Sequence, residues 1–260
     1  SALFRLQTDG DGKLQLHSAI PVETLLEPIA AVLPALVDFL NGCGADLRDG
    51  LRCVKLHATL GGDPRQLLLC LVYGPGTEAA QEERLREATE ALSGALAARG
   101  SNCDVSVMSQ SRGVERCFPP GKNYVDEVLL VPGRGSLRYR QPYGQFSNPN
   151  PHIAVATAGW LMDVIASEVN AGGHGSPCTD LLELYCGAGS HTVALAPLFR
   201  HVLAVEINRH LVEGATRNVQ ANGLSNVTVL RAPSEDFCRK VLRRGSYVLR
   251  RGGCNGTSRS

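Results

Sequence analysis

The chain has 260 residues, which is enough for two domains and a sizeable hydrophobic core. Hydrophobic residues make up 43% of it and charged residues 20%, proportions typical of a globular protein rather than a disordered one. The formal net charge is only +1, so an RNA partner would have to bind a local basic patch. Since no apolar run approaches the roughly 18 residues that a transmembrane helix needs, we expect no membrane span.

Nine cysteines are spread along the chain at irregular spacings, and no two of them form a Cys-x-x-Cys pair. This spacing disfavours a zinc ribbon or an iron–sulfur cluster, so we predict no metal site. An odd number of cysteines without a secretory signal favours free thiols in a reducing compartment. We therefore expect the protein to be cytoplasmic.

Residues 1–137 are predicted to form an α+β module. Apolar residues at helical spacing predict amphipathic helices over 22–40 and 77–99. Alternating patterns and the turn signal Asp-Gly-Asp-Gly at 9–12 predict a hairpin and further strands. The strands are expected at 3–7, 13–17, 51–59, 66–73, 104–108 and 125–130.

Beyond residue 137 the pattern changes twice. Residues 138–178 are predicted to connect two domains through an irregular loop, rich in proline, glycine and asparagine, and a helix at 152–169. Residues 179–240 alternate strands and helices, as in the first half of a parallel, doubly wound sheet, and residues 241–260 resemble a divergent, disordered tail. The strands are expected at 181–184, 202–205 and 227–230, with helices at 190–200 and 209–222.

The loop over 138–150 carries aromatic residues beside arginines. Tyr139 and Tyr143 could stack on bases, while Arg138 and Arg140 could meet phosphate groups. These four residues are therefore candidates for RNA contact. Packing of the aromatic rings at a domain junction explains them equally well.

A second candidate site follows the strand predicted at 181–184. A strand that ends in Gly-x-Gly, here Gly187 and Gly189, lets backbone N–H groups approach a ligand at a helix N-terminus. A dinucleotide fingerprint would place a third glycine three residues later, where this chain has Thr192. Glu206 could accept both hydroxyls of a ribose, although capping of the next helix is an alternative explanation. The pattern favours a methyltransferase cofactor over a dinucleotide.

Three segments together resemble the tRNA (uracil-5-)-methyltransferase family. They are the Tyr-Arg-Gln and Phe-Ser-Asn-Pro-Asn motifs within 139–150, the Leu-Leu-Glu-Leu-Tyr-Cys-Gly-Ala-Gly-Ser segment at 181–190, and 202–207 with Asn218 and Asn222 on the following helix. Their order and spacing are more specific than any one motif. The resemblance extends from about residue 4 to residue 240 and implies a Rossmann-like α/β methyltransferase fold.

The resemblance also implies a cofactor, a substrate and a set of contacts. The cofactor would be S-adenosyl-L-methionine, and the methyl acceptor would be carbon 5 of the T-loop uridine in tRNA. We expect a monomer that binds tRNA without a metal. The implied cofactor contacts are Asn148, Tyr185, Gly187, Gly189, Ser190 and Glu206. The family has Gln at the position of Asn148 and often Asn at that of Ser190.

The catalytic machinery of that family is not found in this sequence. Its enzymes add a cysteine thiolate to carbon 6 of uracil and use a general base on carbon 5. The Ser-Cys-Asn-Pro and Asp-Pro-Pro-Arg segments that carry this chemistry are missing, and Cys186 is expected to be a small buried residue of the cofactor loop. We therefore predict no catalytic residue and an inactive, C-terminally truncated chain, with the strand at 181–184 on an open sheet edge.

Two other functions remain open. One is a non-catalytic RNA-binding or regulatory protein with a vestigial cofactor fold, which the missing nucleophile favours. The other is a methyltransferase with a different substrate, which would need no cysteine nucleophile. The resemblance of the first module makes the second alternative weaker.

Overall fold

The computed structural model describes residues 2–17, 21–42, 45–78, 81–117, 121–145, 150–171 and 179–244. These residues form three sheets and six α-helices. None of the described helices is long and apolar enough to cross a membrane.

The first sheet has six strands in the order β2-β1-β3-β4-β5-β6, and only β4 and β5 run parallel. Its strands are β1 (Ala2–Thr8), β2 (Leu14–His17), β3 (Leu51–Ala58), β4 (Arg65–Tyr73), β5 (Cys103–Ser111) and β6 (Val114–Arg116). Helices α1 (Glu27–Asn41) and α2 (Glu82–Ala98) pack on one face of this sheet. The predicted α+β module is thus confirmed, with β6 added. Helix α1 begins later than predicted, at Glu27, with Pro28 in its first turn, where a missing N–H removes no helical hydrogen bond.

The central strand β4 is buried on both faces because successive side chains of a strand point to opposite sides. Leu67, Leu69 and Leu71 belong to the core formed with α1 and α2. Leu68 and Cys70 point the other way and pack in a second cluster that includes Val125. The module therefore presents a second apolar face to the chain that follows it.

Strands β7 (Tyr124–Val131) and β8 (Gly135–Pro142) form a two-stranded hairpin. The prediction of an irregular loop from residue 138 was wrong for residues 138–142. Leu137 and Tyr139 are buried while Arg138 between them is exposed, which is the alternation of a strand. The predicted boundary after residue 137 therefore falls inside β8.

The last part of the chain contains a parallel sheet in the order β11-β10-β9. Its elements are α3 (Pro151–Ala171), β9 (Asp180–Leu184), α4 (Ser190–Leu195), β10 (His201–Glu206), α5 (Arg209–Ala221), β11 (Val227–Arg231) and α6 (Ser234–Arg244). This arrangement confirms the first half of a doubly wound sheet, with β9 at its edge. Helix α6 extends past residue 240, where the predicted tail would begin.

The hairpin packs into the same core as the parallel sheet. Leu129, Val131, Leu137 and Tyr139 belong to one apolar cluster with residues of α3, α4 and α5. Arg134, in the hairpin turn, donates to the carbonyl oxygens of Ala194 (3.0 Å) and Val193 (3.3 Å). The hairpin therefore packs on the second half of the molecule through these four residues, while Val125 packs on the first module.

A buried carboxylate joins the hairpin to the first module. Glu127, on β7, accepts hydrogen bonds from the backbone N–H groups of Leu60 (3.0 Å), Gly61 (3.0 Å) and Val128 (3.1 Å). Burial raises the pKa of Glu127, and the backbone donors oppose that rise by stabilising the charge. A Cβ atom at Gly61 would lie 2.1 Å from the carbonyl oxygen of Val128, so only glycine fits this contact.

Replacing Gly61 by alanine is expected to lower the free energy of unfolding by about 1–3 kcal/mol, the usual range for an overpacked site. Gly94 is the matched control, because it lies within α2 and a Cβ atom there meets no atom within 4 Å. Gly94→Ala should raise the free energy of unfolding by about 0.5–1 kcal/mol through helix propensity. Urea unfolding measures both changes, and equal effects would contradict the close contact at Gly61.

Candidate functional site

The candidate site lies at the carboxyl ends of β9 and β10. The loop after β9 has left-handed backbone at Tyr185 (φ 56°), Gly187 (φ 59°) and Gly189 (φ 80°). Glycine adopts this conformation without strain, which explains both glycines of the motif. The loop leads directly into α4 at Ser190, whose side chain is exposed.

Helix α5 packs closely on this loop through small residues. A Cβ atom at Gly189 would lie 3.3 Å from the Cβ atom of Ala215, and one at Gly214 would lie 3.6 Å from that of Ala188. A Cβ atom at Gly187 would meet no atom within 4 Å. The loop is therefore packed against α5 at its second glycine and open at its first.

Glu206 ends β10 with a carboxylate that is only 7% exposed. Its Oε2 accepts the N–H of Gly187 (3.0 Å), and its Oε1 accepts the N–H groups of Ile207 and Asn208 (both 2.9 Å). A carboxylate can accept about four hydrogen bonds, so one acceptor position is left for a hydroxyl group. The side chain of Asn208 caps α5, which argues against helix capping as the reason for Glu206.

Two large side chains are exposed where β9 and β10 end. Tyr185 follows β9 and is 61% exposed, and Ile207 follows β10 and is 55% exposed. The Tyr185 hydroxyl donates to the carboxylate of Glu235 in α6, and the Tyr185 N–H donates to Ser234 Oγ at 3.3 Å. The hydrogen bond from Tyr185 lowers the pKa of Glu235. Because parallel strands end at one sheet edge, these groups lie at the same edge of the sheet as Glu206.

Cys186 is buried in the loop, as the sequence predicted. Its N–H donates to the Val205 carbonyl (3.1 Å). Burial, with the nearby charges of Glu183 and Glu206, raises the pKa of its thiol to about 12. Since the thiolate is the nucleophilic form of cysteine, the buried Cys186 thiol suits a packing role better than a nucleophilic one.

Two of the residues proposed for RNA contact are engaged within the protein. Tyr139 is only 6% exposed, and its hydroxyl donates to the Ser190 carbonyl (3.1 Å). Arg140 makes two hydrogen bonds to the Asp126 carboxylate (2.8 and 3.1 Å) and stacks on the Tyr124 ring at 3.9 Å. Stacking of a base on Tyr139 does not fit this burial, so the junction-packing explanation suits Tyr139 better.

The other candidates are more accessible. Tyr143 is half-buried, donates to Gln110 Oε1 (2.9 Å) and has Lys55 Nζ 5.5 Å from its ring centroid. The Arg138 side chain is exposed. Asn148 lies outside the described residues.

A cleft of about 380 Å³ is lined by residues of both the hairpin and α5. Arg138, Arg140 and Arg217 line it together with Asn218. Sequence reasoning did not select Arg217, because its proximity to the hairpin depends on the fold. Within the described ranges, no group of three or more metal-binding side chains comes together.

The parallel β11-β10-β9 order, the glycine loop and the acid ending β10 together define a Rossmann-like methyltransferase fold. A solved structure supports this class: Pyrococcus abyssi tRNA (uracil-54, C5)-methyltransferase in complex with S-adenosyl-L-homocysteine has a TM-score of 0.54. The two chains share 16% identity, over 89% of this chain and 55% of the other. That similarity concerns the fold alone.

The family model for tRNA (Uracil-5-)-methyltransferase matches residues 16–251, and the chain belongs to this family. The match extends beyond residue 240, where we expected the resemblance to end. The tRNA/tmRNA (uracil-C(5))-methyltransferase of Edwardsiella ictaluri is 34% identical over 92% of this chain and 62% of its own. That of Pseudomonas paraeruginosa is 36% identical over 72% of this chain and 45% of its own. The chain thus spans about half the length of the curated relatives it matches.

At pH 8, iodoacetamide is expected to alkylate Cys186 about a thousandfold more slowly than an ordinary cysteine, because a pKa near 12 leaves that much less thiolate. Cys238, which is partly exposed on α6, is the internal comparison. Mass spectrometry of the labelled peptides measures both rates. Labelling of Cys186 as fast as Cys238 would contradict its burial as a thiol.

Proposed function

We propose that this chain carries the S-adenosyl-L-methionine site of a tRNA (uracil-5-)-methyltransferase. Such an enzyme would transfer the methyl group to carbon 5 of a uridine in the T loop of tRNA. The observation that carries the proposal is the pairing of Glu206 with the glycine loop in a member of this family. That pairing places a buried carboxylate with spare acceptor capacity beside backbone that is open at Gly187.

The residues at this edge suit the cofactor chemically. Glu206 would accept one ribose hydroxyl at its remaining acceptor position, while the backbone at Gly187 and Gly189 and the first turn at Ser190 would hold the methionine part. Tyr185 would supply an exposed ring at the rim. Asn148 is proposed as a further contact by family resemblance, although it lies outside the described residues. When bound, the cofactor supplies an activated methyl group for transfer.

The chain's own residues support binding more than catalysis. Cys186 lies within the loop, and its raised pKa keeps it as a thiol. The family's nucleophile and base motifs are missing from the 260-residue sequence. We propose that this polypeptide alone does not methylate uridine.

We place tRNA contact at the cleft between the hairpin and α5. Arg138 and Arg217 have exposed side chains there and would meet phosphate groups. Tyr143 stays a proposed contact, while Tyr139 and Arg140 would act by shaping the cleft. We further propose a cytoplasmic monomer without a metal. The described cysteines are all free thiols, as a reducing compartment requires.

Isothermal titration calorimetry with S-adenosylhomocysteine tests the cofactor assignment. Glu206→Ala should weaken binding at least about tenfold, because hydrogen bonds to a charged group contribute about 1.5–3 kcal/mol. Glu213→Ala, on the exposed side of α5 and paired with Arg209, should bind as the unmodified chain does. Binding of NAD without binding of S-adenosylhomocysteine would overturn the proposal.

The purified chain is expected to bind tRNA without transferring labelled methyl groups to it. Arg138→Ala and Arg217→Ala should each weaken tRNA binding. Each should also reduce the slope of log K against log salt concentration by about 1, the contribution of one phosphate contact. Arg86→Ala, which removes an arginine paired with Glu82 on α2, is the control. Fluorescence anisotropy over a range of salt concentrations measures binding.

The outcomes of this experiment also separate the two functions. Methyl transfer by the chain alone would contradict the proposed inactivity. Binding of tRNA without binding of S-adenosylhomocysteine would favour the non-catalytic RNA-binding function. An equal loss for Arg86→Ala would contradict the proposed location of the RNA contact.

A further inference from the structure

Asn218 of α5 and Asn222, the C-cap residue of that helix, pair with the backbone of β8 as a neighbouring strand would. Asn222 accepts the N–H of Arg138 (3.0 Å) and donates to its carbonyl oxygen (2.7 Å). One turn earlier, Asn218 accepts the N–H of Arg140 (2.8 Å), and its Nδ2 lies 3.5 Å from the Arg140 carbonyl oxygen. The spacing fits because residues four apart share a helix face, while residues two apart share one side of a strand.

The two asparagines differ in one further contact. Nδ2 of Asn218 donates to the carbonyl oxygen of Ala188 in the glycine loop, at 2.9 Å. Nδ2 of Asn222 donates instead to the carbonyl oxygen of Asn218 in the same helix, at 2.7 Å. Asn218 is 1% exposed, so its bonds are shielded from water. One buried carboxamide thus joins β8 to the loop between β9 and α4.

This contact falls where the loop backbone has the most freedom. Ala188 stands between Gly187 and Gly189, whose conformational freedom would let the intervening peptide rotate. Glu206 holds the N–H of Gly187, and Asn218 holds the carbonyl oxygen of the following residue, Ala188. The two side chains together hold one backbone group in each of two successive residues of the loop.

We propose that Asn218 is a positioning residue of the cofactor site. By holding the Ala188 carbonyl against α5 and β8, it orders the glycine loop before a ligand binds, so binding need not order it. This inference rests on the proposed function of the loop as the S-adenosyl-L-methionine site. It assigns Asn222 a different role, because Asn222 bonds to the hairpin and to Asn218 but not to the glycine loop.

The substitution Asn218→Asp tests the role with little change in shape. It keeps the oxygen that accepts from Arg140 but replaces the donor to Ala188 with a second oxygen, leaving a buried acceptor unsatisfied. We expect S-adenosylhomocysteine to bind about tenfold more weakly in calorimetry. We also expect faster hydrogen exchange of the amides at 187–190. Asn222→Asp removes the same kind of donor one turn away, and both measurements should stay within about twofold of the unmodified chain.

The controls keep this test separate from the proposed function. Circular dichroism checks that both variants fold, and Asn218→Ser replaces Asn218→Asp if the latter does not. Equal effects of the changes at Asn218 and Asn222 on the loop amides would overturn the positioning role, even where the unmodified chain binds the ligand. If the unmodified chain does not bind S-adenosylhomocysteine, the proposed function fails. Hydrogen exchange then decides the positioning role alone.

Discussion

The hairpin β7–β8 joins the two halves of the molecule through hydrogen bonds between side chains and backbone groups. One set connects it to the first module, and the other connects it to α5 and its C-cap. Glu127 of β7 accepts hydrogen bonds from the N–H groups of Leu60 and Gly61 in the first module. In the second half of the molecule, the side chains of Asn218 and Asn222 accept the N–H groups of two β8 residues. A buried backbone group without a hydrogen-bond partner raises the free energy of the folded state, so losing any of these contacts would destabilise the protein. The relative placement of the halves therefore depends on directional bonds as well as on apolar contact.

The candidate cofactor site depends on the same hairpin through α5. That helix packs on the glycine loop with Gly214 and Ala215, and Asn218 reaches both the loop and β8. Glu206 holds the other side of the loop from the end of β10. A loop with two glycines would otherwise sample many conformations, so its shape is determined by its neighbours rather than by its own sequence.

The parallel sheet was predictable because its signals are local: short apolar strands, a glycine motif at one strand end and an acid at the next. Strand β8 was missed because the glycine, proline and asparagine around it outweighed the alternation of Leu137 and Tyr139. The surroundings of Tyr139 could not be predicted, since its partner Ser190 lies 51 residues away. The role of Asn218 likewise depends on contacts 78 and 30 residues distant, to Arg140 and Ala188. Local patterns carry no information about such pairings.

The open edge of β9 was also predicted, and it links association to the candidate site. Within the described residues β9 pairs with β10 alone, and Leu182 is exposed on it. An apolar strand with an unpaired edge is a template for pairing with another chain. Because β9 leads straight into Tyr185 and the glycine loop, a strand added at this edge would lie beside the start of that loop. A partner strand at this edge would therefore add backbone hydrogen bonds next to the loop that Glu206 and Asn218 hold from its other sides.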